Sequence, residues 1–232
     1  MNSYEKYYTE KLYPLQVGIL KTVKELNLPF YLTGGTALSR FYFNHRFSDD
    51  LDLFVNADEK YSSYVEKLLS YLEKNKSTLG ISINYERLTK SENYTQLFLS
   101  GDQVELKIDL INDIAVYFGE FENDEELGKV DNWRNILSNK VSALFRFEIK
   151  DYVDIWIISK NKKFNWREIL LEAKQKEVGV DPVEIFNLFT SFPFDNLGLI
   201  KWSSSFDNKE IEKDFSAIAG DIFHGRDNSL CS

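Results

Sequence analysis

Leu15, Ile19, Val23 and Leu26 recur every three or four positions, the period of one buried face of an α-helix, and Pro14 is tolerated in its first turn. The apolar run "PFYLT" (29–33) then predicts a strand, "TALSRFYFN" from Thr36 a helix, and "LDLFV" (51–55) a second strand. A helical period returns in "EKYSSYVEKLLSYLEKN" (59–75). After it, "GISINYERL", "YTQLFLS" and "QVELKIDLI" alternate apolar and polar positions as half-buried strands do, with Ser100, Gly101 and Asp102 as the hairpin connection between the last two.

The acidic stretch "GEFENDEELGKVDN" (119–132) keeps neither period and reads as a loop and a boundary. Beyond it, "WRNILSNKVSALFRF", "DYVDIWIIS", "NWREILLEAKQKE" and "PVEIFNLFTSF" all carry a helical pattern. The whole predicts an α+β chain: an N-terminal mixed-sheet domain with flanking helices over 1–130, and a C-terminal helical bundle over 131–232.

Composition narrows the function. With 232 residues, 43% hydrophobic, and only 4 prolines, the chain can bury a substantial core. Cys231 has no partner for a disulfide, and His45 and His224 are too few for a histidine-based metal site. No signal-peptide pattern opens the chain and no apolar run approaches the ~20 residues of a membrane span, so a cytoplasmic address without membrane attachment is expected. The net charge of -9 argues against strong non-specific nucleic-acid binding while leaving recognition of one structured RNA open.

Three features carry chemistry. In a strand, alternate side chains share a face, so Asp50 and Asp52 project together while Leu51 and Leu53 point the other way. Two close carboxylates repel, and a divalent cation with a preference for oxygen ligands is the simplest partner. Taken alone, a single Asp-x-Asp is better explained as an acidic turn feeding a buried strand. Gly34, Gly35 and Thr36 stand between a strand and a helix start, where glycines let backbone N–H groups approach phosphate; a tight turn with Thr36 as N-cap explains them equally well. In "VELKIDLI", Glu105, Lys107 and Asp109 share one face, so Asp109 completes a carboxylate triad if this strand pairs beside 51–55. Without that pairing, Lys107 simply neutralises Glu105 or Asp109 on a polar sheet face.

Taken in order, Gly34-Gly35-Thr36, "FSDDLDLF" (47–54), Asp109 and "NKVSALFRFEIKDYVDIW" (139–156) resemble the AbiEii/AbiGii-type nucleotidyltransferase toxins of the DNA polymerase β-like superfamily. The resemblance covers roughly residues 15–160, and it implies several roles. Asp50, Asp52 and Asp109 would bind metal, Mg²⁺ or Mn²⁺. Gly34, Gly35 and Thr36 would hold an NTP such as ATP, GTP or CTP, and Thr36 stands where many relatives have serine. Lys140 would contact the triphosphate and Asp151 would be catalytic, both contributed to the cleft by the helical domain. Lys150 departs from the arginine that many relatives carry before that aspartate.

The implied activity is transfer of an NMP from NTP to an acceptor hydroxyl, with the 3′ end of a tRNA as acceptor and a cognate antitoxin in a toxin–antitoxin or phage-defence system. Alternatives are a protein or small-molecule acceptor, or a nucleotide- or RNA-binding module without catalysis.

Helix geometry constrains the picture. Asp151 lies eleven positions after Lys140, which in an unbroken helix separates them by ~16 Å. Both serve one nucleotide only if the chain bends near "FEIK"; otherwise Asp151 reads as an N-cap for "YVDIWIIS". Asp49 reads as a bystander. Arg40, His45, Arg46 and Arg146 read as exposed or ion-paired side chains, Arg46 being the best placed to add positive potential.

Overall fold

A computed structural model describes residues 3–231. Contacts divide the chain into two units: residues up to 41, 47–115 and 121–131 form the first, while 42–46, 116–120 and 132 onward form the second.

In the first unit, α1 (Ser3–Tyr7) runs through the wide π-helical turn of Tyr8–Leu12 into α2 (Tyr13–Glu25). Strand β1 (Tyr31–Thr33) leads into α3 (Gly34–Ala37), which widens into another π-helical turn, Leu38–Phe43, across the end of the unit's first segment. Thr33 caps α3, so Thr36 lies inside the helix and is not its N-cap. Then come β2 (Leu51–Asn56), α4 (Tyr61–Leu79), β3 (Ser82–Ile83), β4 (Thr89–Lys90), β5 (Tyr94–Gly101) and β6 (Val104–Asp113).

Two expectations change here. Only Ser82–Ile83 of the stretch expected as a strand pairs, because Tyr85–Arg87 coil into a 3₁₀ turn capped by the Asn84 side chain. The β5–β6 hairpin turns on Asp102 and Gln103, both at positive φ, while Gly101 already pairs with Val104.

The acidic stretch read as a loop contains β7 (Glu122–Asp124) and β8 (Gly128–Val130). Asp124 accepts from the backbone N–H groups of Glu126 and Leu127 and closes this small hairpin. Buried Leu127 and Val130 anchor it, and β8 pairs with β1. The result is a mixed eight-stranded sheet of order β3-β5-β6-β2-β1-β8-β7 with β4 on β5. β2–β6 and β1–β8 are parallel, and the remaining pairs are antiparallel.

The alternation seen in the sequence is the burial pattern. Leu51, Leu53 and Val55 of β2 are buried, as are Leu106, Ile108 and Leu110 of β6, which makes one face of the paired strands apolar and puts Asp52 and Asp109 on the other. Buried Ile19, Leu20 and Val23 of α2, with Val65, Leu68 and Leu72 of α4, add to this core. The Tyr61 hydroxyl of α4 donates to the Leu110 carbonyl at 2.7 Å and fixes that helix to β6.

In the second unit, α5 (Trp133–Ser142), α6 (Ile149–Asn161), α7 (Trp166–Lys176), α8 (Pro182–Thr190) and α9 (Asn208–His224) follow in order. Side chains of Asn132, Asn165, Asp181 and Asp207 accept a backbone N–H two residues on, so four of the five helices start on a satisfied cap. Residues 151–159 of α6 are all buried, which makes it the central helix of the unit. Among the described residues, no helix is long and apolar enough to cross a membrane.

Candidate active site

Register brings the first group of candidates together. Asp52 on β2 lies opposite Thr33 at the end of β1 and opposite Asp109 on β6. Gly34 follows Thr33 directly, at φ +67°, a backbone region that L side chains avoid. A Cβ there would stand 2.5 Å from Asp52 Oδ2, so this glycine is required both by the backbone and by the carboxylate lying against it. Asp50 precedes β2, and its side chain is tied to the same strand ends through Lys107. The Lys107 ammonium is 3.0 Å from Asp50 Oδ2 and 3.1 Å from Asp109 Oδ2.

The strand pairs beside 51–55, and Lys107 still neutralises a neighbour on its own strand. It does so with Asp109 but not with Glu105, which is taken by Arg87 at 2.7 Å. Burial pulls the ammonium down, and the hydrogen bond and charge of Asp50, then Asp109, more than reverse this, so Lys107 is held above the ordinary lysine range. Asp109 also accepts from the Tyr94 hydroxyl at 3.1 Å and from the Gln96 amide at 3.0 Å. Burial and the Asp109 charge push the Tyr94 phenol up to about 12, so it stays a donor. The β5 residues Tyr94 and Gln96 left no mark in the sequence pattern; only the β5–β6 pairing reveals them.

Thr36 is buried, and its hydroxyl donates to the Asp50 carbonyl and meets the Ser48 hydroxyl at 2.9 Å. It therefore shapes the acidic segment. Asp49 accepts from the buried Tyr8 hydroxyl, and Gln16 donates to the carbonyls of Ser48 (3.3 Å) and Asp49 (3.2 Å). Tyr8 stacks on Phe47 with ring centroids 4.4 Å apart. The segment before β2 is thus pinned from α2 and the turn before it. The Thr33 hydroxyl donates to the fully buried Asp131, an acid the sequence pattern did not single out. Arg40 reaches Glu126 at 3.7 Å and Gln16 at 3.3 Å.

The donor set of Asp50, Asp52 and Asp109 is all carboxylate oxygen, the chemistry that a hard divalent cation takes. Two of the three already converge on one positive group, the Lys107 ammonium, which stands in for such a cation. Among the described residues, no group of three or more His, Cys, Asp or Glu side chains is drawn closely enough together to enclose a metal as it stands. The residue types fit such a cation.

The second group lies in the helical unit. α5 ends at Ser142, a 3₁₀ turn covers Leu144–Arg146, Phe147 adopts φ +58°, and α6 starts at Ile149. This is the bend that the Lys140–Asp151 spacing demanded, and it brings Lys140 Nζ to 2.7 Å from Asp151 Oδ1. Asp151 is no N-cap: α6 begins two residues earlier with Glu148 at the cap position, and Asp151 is buried in its first turn.

Asp154, one turn further along α6 from Asp151, is the hub. It accepts from Lys140 at 2.8 Å, from Arg46 through two nitrogens at 2.8 Å each, and lies 2.9 Å from His45 Nε2. The signal for it was available: Asp154 falls three positions after Asp151, hence on the same helix face, inside an otherwise apolar run.

Burial opposes the Asp154 charge, but Arg46, Lys140 and His45 hold its carboxyl well below the ordinary carboxylate range. Burial lowers Lys140, and Asp151 then Asp154 raise it above the lysine range. Burial keeps His45 low despite the Asp154 bond, so it is a neutral donor through Nε2, with Nδ1 meeting no partner among the described residues. Arg146, exposed, completes Asp151 at 2.8 Å, whereas Lys150 is exposed and makes no ion pair among the described residues.

A family model described as "Nucleotidyl transferase AbiEii toxin, Type IV TA system" matches residues 19–229. A Helicobacter pylori crystal structure described as a candidate nucleotidyltransferase is similar with a TM-score of 0.60 at 20% identity, covering 96% of each chain. JHP933 from Helicobacter pylori gives 0.61 at 19% identity, covering 97% of this chain and 94% of that one. At such identities the likeness shows a shared fold. An uncharacterised protein of Aquifex aeolicus (strain VF5) is 25% identical over 159 residues, 66% of this chain and 68% of that protein. A family match spanning residues 19–229 settles membership: the chain belongs to the AbiEii nucleotidyltransferase toxin family, and is a nucleotidyltransferase.

Proposed function

We propose that the acidic strand ends of β1, β2 and β6 bind an NTP with divalent cations, Mg²⁺ or Mn²⁺, and transfer its NMP to a hydroxyl of an RNA, the 3′ end of a tRNA. The supporting observation is the meeting, at the ends of neighbouring strands, of Gly34, where a Cβ would collide with the Asp52 carboxylate, and Asp52 itself, in register with Asp109.

In this reaction the acceptor oxygen forms a bond to the α-phosphorus, and the bond from that phosphorus to pyrophosphate breaks. Divalent cations held by Asp50, Asp52 and Asp109 would lower the pKa of the acceptor hydroxyl and neutralise the triphosphate. Gly34 and Gly35 leave the backbone open to the phosphates, and Thr36 contributes through its backbone, since its hydroxyl is engaged with Asp50 and Ser48. Tyr94 and Gln96 orient Asp109 by hydrogen bonding to one of its oxygens. The proposal also assigns Lys140 a triphosphate contact and Asp151 a catalytic role, supported by the bend that unites them in the helical unit. Membership of a family described as a type IV toxin–antitoxin system supports the existence of a cognate antitoxin that counteracts this activity.

The test is incubation with each of four labelled NTPs and Mg²⁺, in parallel with total RNA and with protein lysate. Label entering RNA in the tRNA size range, lost in Asp52→Asn, is the expected result. Label appearing only on protein overturns the RNA acceptor; no incorporation and no pyrophosphate release leaves a binding module instead.

A further inference from the structure

The two ion pairs of Lys107 play no part in the reaction just described. One ammonium serves Asp50 and Asp109, on a side chain that keeps 30% of its exposure; Asp50 keeps 33%, while Asp109 keeps 12%. The Lys107–Asp50 pair, open to water on both sides, is weak and exchanges readily, and the ammonium of the Lys107–Asp109 pair is reached by water from the lysine side. The four-carbon stem of lysine is flexible and its charge compact, so the ammonium can leave for solvent without disturbing β6. On Asp109 the labour is divided: Oδ1 accepts from the neutral donors Tyr94 and Gln96, and Oδ2 faces the Lys107 ammonium. A cation that replaced Lys107 would find Asp109 already aimed.

An ammonium and a divalent cation cannot both sit ~3 Å from the same carboxylate oxygens, since their mutual repulsion grows as the inverse of their separation. A monovalent ion offers Asp50 and Asp109 no more charge than Lys107 does, and it competes with a group tethered at an effective concentration on the order of millimolar. A dication offers twice the charge.

We propose that Lys107 is the resident counter-ion of the acidic strand ends, holding Asp50 and Asp109 in place and yielding only to a divalent cation, so that it sets both the affinity and the divalent-over-monovalent selectivity of the site. This rests on the metal-dependent reading above.

The test is Mn²⁺ binding, read as loss of the free-ion electron paramagnetic resonance signal, at constant ionic strength in KCl. Lys107→Met is expected to bind Mn²⁺ about tenfold more tightly than the native protein and to let KCl compete, while Lys107→Arg stays near the native value. Lys129→Met, which removes a charge from β8 of the same unit, controls for net charge and should leave binding unchanged. A second measurement needs no variant: Mg²⁺ should raise the rate at which Lys107 of the native protein is acetylated, read by mass spectrometry.

Equal Mn²⁺ binding in Lys107→Met and native protein, or an acetylation rate indifferent to Mg²⁺, overturns the counter-ion role. If the native protein binds no Mn²⁺, or Asp52→Asn binds it as well, the metal reading falls and this proposal with it.

Discussion

The acidic strand ends of the first unit and the ion-paired cluster of the second are built from the same residue types and differ in how their charges are matched. At these strand ends, Lys107 is shared between Asp50 and buried Asp109, and Lys107 and Asp50 stay partly open to water. In the helical unit, Asp151 and Asp154 share Lys140, Asp154 also takes Arg46 and His45, Asp151 also takes Arg146, and both carboxylates are buried. Negative charge in excess at a strand end that water still reaches is a capacity to bind cations. Negative charge that is matched and buried fixes a geometry, and removing one partner leaves the others stranded.

The comparison breaks most visibly at the hub. Asp154→Ala leaves Arg46 and Lys140 buried without their shared carboxylate and should cost ~3–5 kcal/mol of stability by urea denaturation. A loss below about 1 kcal/mol would mean that the cluster is as dispensable as a surface pair. Asp52→Asn should do the opposite: at least about a hundredfold slower NMP transfer, with stability held within about 1 kcal/mol. Retained transfer removes Asp52 from the reaction.

Gly34→Ala tests the backbone side of the strand ends. Positive φ and the 2.5 Å approach to Asp52 together should cost ~1–3 kcal/mol and displace the Asp52 carboxylate, lowering transfer as well. An active variant of native stability would show that the turn is not constrained as described.

Acid should act on the cluster first. Burial holds His45 below its ordinary value, so the unfolded chain binds a proton there that the folded chain refuses, and stability falls as pH drops below about 6.5. Asp154 is depressed as well, so a further loss follows as pH falls below the ordinary carboxylate value and through its own lowered one. Lys140 and Lys107 are raised, and their contribution is present below the ordinary lysine value and lost as pH rises past it. His45→Gln should flatten the first acid step in a pH series of melting curves; an unchanged profile assigns that step elsewhere.

Much of this was legible locally. Alternation marked β2, β5 and β6 and put Asp50 with Asp52 and Lys107 with Asp109, because the strand period acts on adjacent residues. β7 and β8 were not legible: Leu127 and Val130 supply little apolar signal, and the strands form because Asp124 closes the turn and β1 offers its edge. Tyr8 on Asp49, Gln96 on Asp109 and Arg46 on Asp154 were hidden for another reason, since partners 41, 13 and 108 residues apart leave no periodic trace. Local spacing showed only that Lys140 and Asp151 required a bend.

The chain passes between its two units at 41/42, 46/47, 115/116, 120/121 and 131/132. Neither unit is therefore a separable stretch of gene. During synthesis His45 and Arg46 leave the ribosome more than a hundred residues before Asp154, the carboxylate that lets them be buried. A nascent chain, or a fragment stopped at 130, carries those two groups with nothing to close on, so the second unit cannot finish folding until translation has passed α6.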